Sequence, residues 1–517
     1  MRLKMEHVVI ALFFLLSLYM IVHHEAWRDE AQPWLIARDS PSFLSVVRQM
    51  NREGTPGLWF YMAYPLARAG LPFFGMQLVN LLIVLCIVAI VMRCAPFPRY
   101  QKVLFIFGYY IFYEYNVIVR TYVLSVLFLV AIAALYKYRF TKPVAYSLLV
   151  LLLANTNAHG IIVAAILAGA YLLESLMSGG AWSKRTVRLA FSLMVIGLVA
   201  AMCQTVTFEE RAECWAGWHW EPSRLRISEV FYALELAFLP VSGHPFFSGP
   251  GEVNFWGSVL VRYPACIPVA VPLFGASVAL LMRKRVPLAI YLGSTLGLLS
   301  LFWLKYPGAR RHIGFIYISF IVATWISECY QDAPSPPRGF LRTKCPACVF
   351  TTLLILQLLG SAQAVYHDLR YDFSPAKRVA GYLEEHGYLG DDFFIAAFHS
   401  TKAQAVALYL PKPHSRIFQV ECERFGTYTA NTKEFMRDQA ALRIEDVVRR
   451  VDRGMQGGHY RAAVLILNER MDGNAGFAAR YELIASFERH IAEDEPLYIY
   501  RLNSPPPRAD AVTRGRV

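Results

Sequence analysis

Charge is scarce in this sequence: Asp, Glu, Lys and Arg make up 17 % of 517 residues, too little to clothe a soluble enzyme of that size in solvated surface. Cysteine provides no framework. Its nine residues are an odd number without regular spacing, which excludes a disulfide scaffold. Cys345-Pro-Ala-Cys348 has no second pair to complete a zinc site, so it is read as an ordinary membrane-edge segment. The basic opening Met1-Arg2-Leu3-Lys4 and the apolar run Ala11–Val22 lead into His23-His24-Glu25-Ala26-Trp27. No small-residue cleavage site follows, which favours an uncleaved signal anchor over a removable signal peptide. Internal repeats are absent. A formal net charge of +13 invites nucleic acid as a partner, but the basic residues fall in short clusters between apolar runs and form no single basic face, so no nucleic acid is expected.

What the sequence has is hydrophobicity: 56 % of its residues are apolar. A membrane-spanning helix takes about 20 such residues, because lipid offers no partner to backbone polar groups. Candidate spans are 5–22, 74–93, 100–115, 118–136, 143–157, 160–176, 189–206, 256–282, 287–304, 313–330 and 346–364. Basic clusters recur in every second loop, at Arg93/Arg99/Lys102, Lys137/Arg139/Lys142, Lys184/Arg185/Arg188, Arg283/Lys284/Arg285 and Arg338/Arg342/Lys344. The positive-inside rule makes those loops cytoplasmic. A crossing at Gly57–Gly70 would turn every cluster outward, so that segment is read as a juxtamembrane or re-entrant helix broken by Pro65 and Pro72. The expectation is an α-helical polytopic membrane protein of about 11 spans in the inner (plasma) membrane, N-terminus cytoplasmic and C-terminus periplasmic.

Composition changes near residue 374. Ala376–His386 has helical apolar spacing, Phe393–Phe398 and Ala462–Leu467 read as buried strands, and Tyr481–Leu502 reads as a helix or strand followed by a final strand. The expected organisation is a transmembrane domain over 1–366, a small periplasmic α/β domain over 367–503 and a disordered tail over 504–517.

The interesting polar residues gather in the outward loops. In the first, Asp29 and Glu30 open a short amphipathic helix whose Trp34 and Leu35, with Phe43, Leu44 and Val47 of a second, suit the membrane interface. Asp29 is either a helix-capping residue or a functional carboxylate. Arg120 sits just inside the outer end of a span, where it either snorkels or meets an anion. His159, in Asn155-Thr156-Asn157-Ala158-His159-Gly160, is a hydrogen-bonded turn residue or a site residue. Lys305-Tyr306-Pro307-Gly308-Ala309-Arg310-Arg311-His312 places three cations outside with no nearby carboxylate. A phosphate or pyrophosphate suits the arginine fork there, and membrane lipid headgroups are the alternative.

Taken together, these motifs resemble the GT-C membrane glycosyltransferases, especially the bacterial branch of aminoarabinose transferases and the related protein O-mannosyltransferases. Asp29-Glu30 is similar to the family's Asp-Glu in the first outer loop, where the Asp is the usual candidate base. Glu53-Gly54-Thr55-Pro56-Gly57-Leu58-Trp59-Phe60 resembles its His-Pro-Pro-Leu stretch, with Gly57 in place of the second proline and Thr55 in place of the usual preceding residue. Arg120-Thr121-Tyr122 is similar to its Arg-x-Tyr, Asn157-Ala158-His159-Gly160 to its Thr-His-Tyr, and Arg311-His312 to its late Arg-Tyr. The resemblance covers residues 1 to about 330, with the outer C-terminal domain a common but variable addition.

It implies transfer of a sugar from a polyprenyl-phosphate donor to a lipid, glycan or protein acceptor. Asp29 is then the base, Arg311 and Arg310 hold the phosphate with Arg120 and Lys305 next, and Tyr122, His159, His312 and Glu53 position donor or acceptor. Glu30 and Glu53 orient the acceptor or bind a divalent ion with His159; the departures from the family pattern leave metal dependence and acceptor class open. The competing readings are an oligosaccharide ligase or polymerase using a lipid-diphosphate donor, a lipid or solute transporter, and a non-catalytic assembly protein.

Overall fold

The computed structural model describes residues 5–50, 52–178, 180–205, 227–243, 255–331, 346–411, 415–471, 473–492 and 494–503. Much of the outer loop expected between Thr207 and Asn254, Cys345 of the CxxC segment and the tail 504–517 lie outside them. Cys348 is disulfide-bonded.

The helices run α1 (Met5–His23), α2 (Arg28–Asp39), α3 (Phe43–Met50), α4 (Leu58–Arg68), α5 (Phe73–Cys94), α6 (Arg99–Ile106), a π-helical turn (Tyr110–Glu114), α7 (Tyr122–Leu135), α8 (Pro143–Ala154), α9 (Ala158–Met177), α10 (Arg185–Thr205), α11 (Ile227–Phe238), α12 (Ile267–Leu281), α13 (Arg285–Leu304), α14 (Arg310–Ser327) and α15 (Pro346–Arg370). They are followed by α16 (Ala376–Glu385), β1 (Phe393–Ala397), α17 (Ser400–Ala403), α18 (Val406–Tyr409), β2 (Ile417–Gln419), β3 (Arg424–Gly426), α19 (Lys433–Ala441), α20 (Ile444–Gln456), β4 (Ala462–Leu467), α21 (Ala475–Ala478), β5 (Tyr481–Phe487) and β6 (Leu497–Leu502).

These elements form two compact units. The first contains α1 up to His24 and everything described from Glu53 to Arg370; the second joins Glu25–Arg52 to the chain from Tyr371 onward. Residues 25–52, which the sequence division put in the transmembrane domain, therefore cluster with the C-terminal unit.

In the first unit, six described helices, α1, α5, α9, α10, α13 and α15, are long and apolar enough to cross a membrane, while α7, α8 and α12 are shorter apolar helices. This is a multi-pass membrane protein. Leu12, Leu15 and Leu16 of α1 and Ile196 and Val199 of α10 remain exposed, as a lipid-facing surface requires. α4 has 11 residues, about 16 Å of helix, too short to span. Pro65 lies inside α4 without breaking it; the chain turns at Gly70, whose φ of +79° favours glycine.

The expected span 100–115 is not one helix. It stops at Ile106, resumes as the π turn and gives way to irregular chain before α7. Exposed backbone at that depth would be costly, and polar side chains satisfy it. Asn80 Nδ2 donates to the carbonyls of Tyr115 (3.1 Å) and Asn116 (2.8 Å). Asn116 Nδ2 donates to Ser17 Oγ at 2.7 Å, and Thr121 Oγ1 to the Thr156 carbonyl at 2.9 Å. Gly314 lets α14 approach this stretch, because a Cβ there would collide with the ring of Tyr110 and the hydroxyl of Tyr115.

The second unit is a six-stranded sheet of order β3-β2-β1-β4-β6-β5. β1 pairs in parallel with β2 and β4, and the outer pairs are antiparallel. The strands forecast at 393–398 and 462–467 sit at its centre, buried on both faces, which is why they read as continuous apolar runs. One face is covered by α16 to α18, the other by α20, whose Val447, Val448 and Val451 are buried. Helix α2 belongs to the first of these cores: Ala31 and Leu35 are wholly buried beside Val406, Ile417 and Ile466. The apolar face of α2 was expected to lie on the membrane interface. In the structure the sheet domain covers it, and Phe43 and Leu44 of α3 are what remain exposed.

Candidate active site

The turn between α13 and α14 is built by Pro307 and Gly308, which cannot continue α13, and by Ala309, whose extended backbone opens α14. The Ala309 N–H donates to His312 Nδ1 at 3.1 Å. A neutral His312 then carries its proton on Nε2 and donates it to the Tyr122 hydroxyl, 2.8 Å away. The His312 ring stacks on that of His159, with centroids 4.6 Å apart and planes 13° apart. His159 Nε2 pairs with the Tyr306 hydroxyl at 2.9 Å. Asn157 places His159 in the first turn of α9 by capping it, its side chain accepting from the Gly160 N–H at 2.9 Å. The Arg120 guanidinium lies 5.8 Å from the centre of the Tyr122 ring. Four expected site residues, Arg120, Tyr122, His159 and His312, thus form one cluster, to which the structure adds Tyr306.

Arg310 and Arg311 are adjacent in sequence and do different things. Arg310 is 3 % exposed, and all three of its nitrogens are held by backbone. Nε donates to the Trp256 carbonyl (2.9 Å), Nη1 to Pro240 (2.6 Å), and Nη2 to Phe255 (3.0 Å) and Ser258 (2.7 Å). A guanidinium committed to four carbonyls fixes the surrounding chain and has no fork to offer a phosphate, contrary to the expectation for Arg310. Arg311 is half-buried and lies over the Trp256 ring at 5.4 Å. Lys305, at the end of α13, is buried.

Glu114, which is not among the expected site residues, joins Tyr109 to Trp256. Its Oε2 accepts from the Tyr109 hydroxyl at 2.6 Å and from Trp256 Nε1 at 3.0 Å, so it sets the ring on which Arg311 rests. The signal was a carboxylate inside the aromatic run Tyr109 to Tyr115, since an ionisable side chain at membrane depth is retained for a reason. Glu114→Ala takes the acceptor from the buried Tyr109 hydroxyl and removes the contact to the half-buried Trp256 indole, a loss of about 1–3 kcal/mol. The detergent-solubilised variant should melt several degrees lower, and an unchanged melting temperature would contradict this role. The His24–Asp368 pair, with Nδ1 and Oδ2 3.0 Å apart, joins the ends of α1 and α15 in the same unit and was also missed.

Asp29 and Glu30 lie in the second unit. Trp27, not Asp29, is the N-cap of α2, so the capping reading of Asp29 does not apply. Glu30 is 2 % exposed and its Oε2 accepts from the Trp27 N–H at 3.2 Å, closing the first turn. Asp29 keeps 27 % of its side chain exposed, with Arg28 Nε at 3.7 Å. Of the two carboxylates, Asp29 is the accessible one. Glu53, in the first unit, is half-buried. Among the described residues no group of three or more His, Cys, Asp or Glu side chains is placed to hold a metal ion.

No family model matches the sequence, and no curated protein matches it. Among solved structures, the chain matches the crystal structure of ArnT from Cupriavidus metallidurans bound to undecaprenyl phosphate, with a TM-score of 0.51 over 95 % of this chain and 97 % of that one, at 13 % identity. At that identity the likeness shows the fold alone: the chain is folded like ArnT.

Proposed function

We propose that a chain with this fold is a GT-C glycosyltransferase that moves a sugar from a polyprenyl-phosphate donor to an envelope acceptor at the periplasmic face of the inner membrane. The observation that carries the reading is the likeness to ArnT across nearly the whole of both chains, together with the undecaprenyl phosphate held by that protein. The motif residues Asp29, Arg120, His159 and Arg311, in the order the family resemblance gives them, support it.

The reaction is a displacement at the anomeric carbon. The acceptor hydroxyl oxygen forms the new bond, the bond from that carbon to the phosphate oxygen breaks, and the polyprenyl phosphate leaves with the electron pair. Asp29 takes the hydroxyl proton as general base. The departing phosphate gains negative charge, so a preorganised cation stabilises the transition state more than the ground state. Arg311, held over Trp256, is assigned that task, with Arg120 and Lys305 the next choices; Arg310 instead holds the backbone that carries Trp256. Tyr122, His312 and His159 position the donor, and Glu53 the acceptor.

Undecaprenyl phosphate is the probe that tests the donor half of this reading. Native mass spectrometry of the purified protein should show it retained in preference to phosphatidylglycerol, and equal retention of the two lipids would count against a dedicated phosphate site. The orientation rests on the alternating basic loops. A cysteine replacing Glu384 should react with an impermeant thiol reagent in intact cells beyond the wild-type background, and one replacing Ser183 should not. The opposite pattern would put the C-terminal unit in the cytoplasm and end the periplasmic reading.

A further inference from the structure

In an open α/β sheet, ligands bind at the carboxyl ends of the parallel strands, where the strand order reverses. Here that place lies between β1 and β4, since the chain leaves β1 for β2 on one side and returns to β4 on the other. The start of α17, just after β1, is already filled: the Glu421 carboxylate accepts from the Ser400 N–H and hydroxyl, each at 2.8 Å. Past the end of β4, Asn468 Nδ2 donates to the Pro496 carbonyl at 2.8 Å, which brings Asp494 and Glu495 to the same edge.

The group lodged at this edge is the chain's own α2. Arg28 donates from its backbone N–H and from Nη1 to Glu495 Oε1, both at 3.2 Å, and from Nη2 to Asp494, which Lys402 of α17 also engages. Gln404 Nε2 donates to the Arg28 carbonyl at 3.0 Å. Farther along, Gln32 exchanges two hydrogen bonds with the Thr429 backbone, at 2.7 and 3.2 Å. Arg28 is thus gripped through its N–H, its carbonyl and its guanidinium, and Asp29 is the next residue.

We propose that the carboxyl-edge crevice of the C-terminal sheet is the seat of Asp29, with Glu495 and Asp494 acting through Arg28 as positioning residues for the proton transfer. The proposal rests on the transferase reading of Asp29. Glu495 is 1 % exposed in its side chain, and Ser374 Oγ donates to its second oxygen at 2.9 Å. Burial raises its carboxyl to about 7 against the pull of Arg28. Across the window from the ordinary carboxylate range up to about 7, the native state holds a proton that the unfolded chain has released, so Glu495 lowers stability as pH rises. A buried acid that burdens the fold yet grips the residue before the candidate base is better explained by placement than by stability.

The test uses the full-length chain, with Glu495→Gln, Arg28→Ala and the double variant. Three quantities are read: amide exchange across residues 27–39 in detergent, undecaprenyl phosphate binding, and the envelope product that distinguishes wild type from a deletion strain. The proposal expects exchange in α2 to quicken and product to fall at least tenfold in each single variant. The double variant should be no worse than the worse single, since both break one link. Lipid binding should stay within twofold of wild type, and the melting temperature of Glu495→Gln should be unchanged or higher. Wild-type exchange and product in Glu495→Gln and Arg28→Ala would overturn it, as would product loss accompanied by lost lipid binding and a fall in melting temperature, the pattern of a structural role. If the wild-type chain makes no product, the transferase reading fails and the catalytic assignment with it, while exchange alone still decides whether this edge seats α2.

Discussion

Asp29→Asn is expected to lower transfer by about 10²–10⁴-fold, the usual contribution of a positioned general base, with undecaprenyl phosphate binding and melting temperature close to wild type. The substitution is nearly isosteric, and position 29 lies in the first turn of α2 with Trp27 as the cap, so the helix should keep its start. What is lost is basicity, because an amide does not accept the hydroxyl proton at working pH. Asp29→Glu keeps the carboxylate and shifts it by one methylene, and should recover part of the rate. An Asn variant retaining most of the activity would move the search for the base to Glu53, since Glu30 is buried and bonded back to Trp27.

Arg311→Ala is the second large effect. Removing one preorganised donor from a developing anion costs about 10²–10³-fold in turnover. Because Arg311 sits at a partly exposed position over Trp256, the protein should still fold. Arg311→Lys keeps the charge but loses the planar fork and its stacking, so its activity should fall between the two. Arg310→Lys provides the contrast: it strips carbonyls of Pro240, Phe255, Trp256 and Ser258 of their donors and should show first as a lower melting temperature. If Arg311→Ala turned over at the wild-type rate and Arg310→Lys were fully stable but inactive, the two assignments would have to be exchanged.

The adjacent arginines show where sequence reasoning stops. Charge outside the positive-inside pattern singled out the 305–312 turn, but two neighbouring arginines look alike until the backbone decides which one faces four carbonyls. Helix α2 teaches the same point at longer range. Its Trp34 and Leu35 announce an apolar face, and periodicity cannot say whether lipid or a sheet more than 300 residues downstream will cover it. The buried strands β1 and β4 were legible because their apolar runs are short and bounded by turn residues. The break after Ile106 was not, because the residues that make it tolerable, Asn80 and Ser17, come from α5 and α1 and bear no local mark. Glu114 was legible in principle, as a carboxylate within an aromatic run, and only the hydrogen bonds of Tyr109 and Trp256 gave it a role.

The central claim is that this chain attaches a lipid-carried sugar to the cell envelope. Mass spectrometry of lipid, glycan and protein fractions from a deletion strain, and from the same strain carrying the wild-type or the Asp29→Asn chain, tests it most directly. The account predicts one sugar-sized mass increment missing from the deletion strain, restored by the wild-type chain and still missing with Asp29→Asn expressed at an equal level. Identical envelopes in all strains would contradict it, and so would restoration by Asp29→Asn.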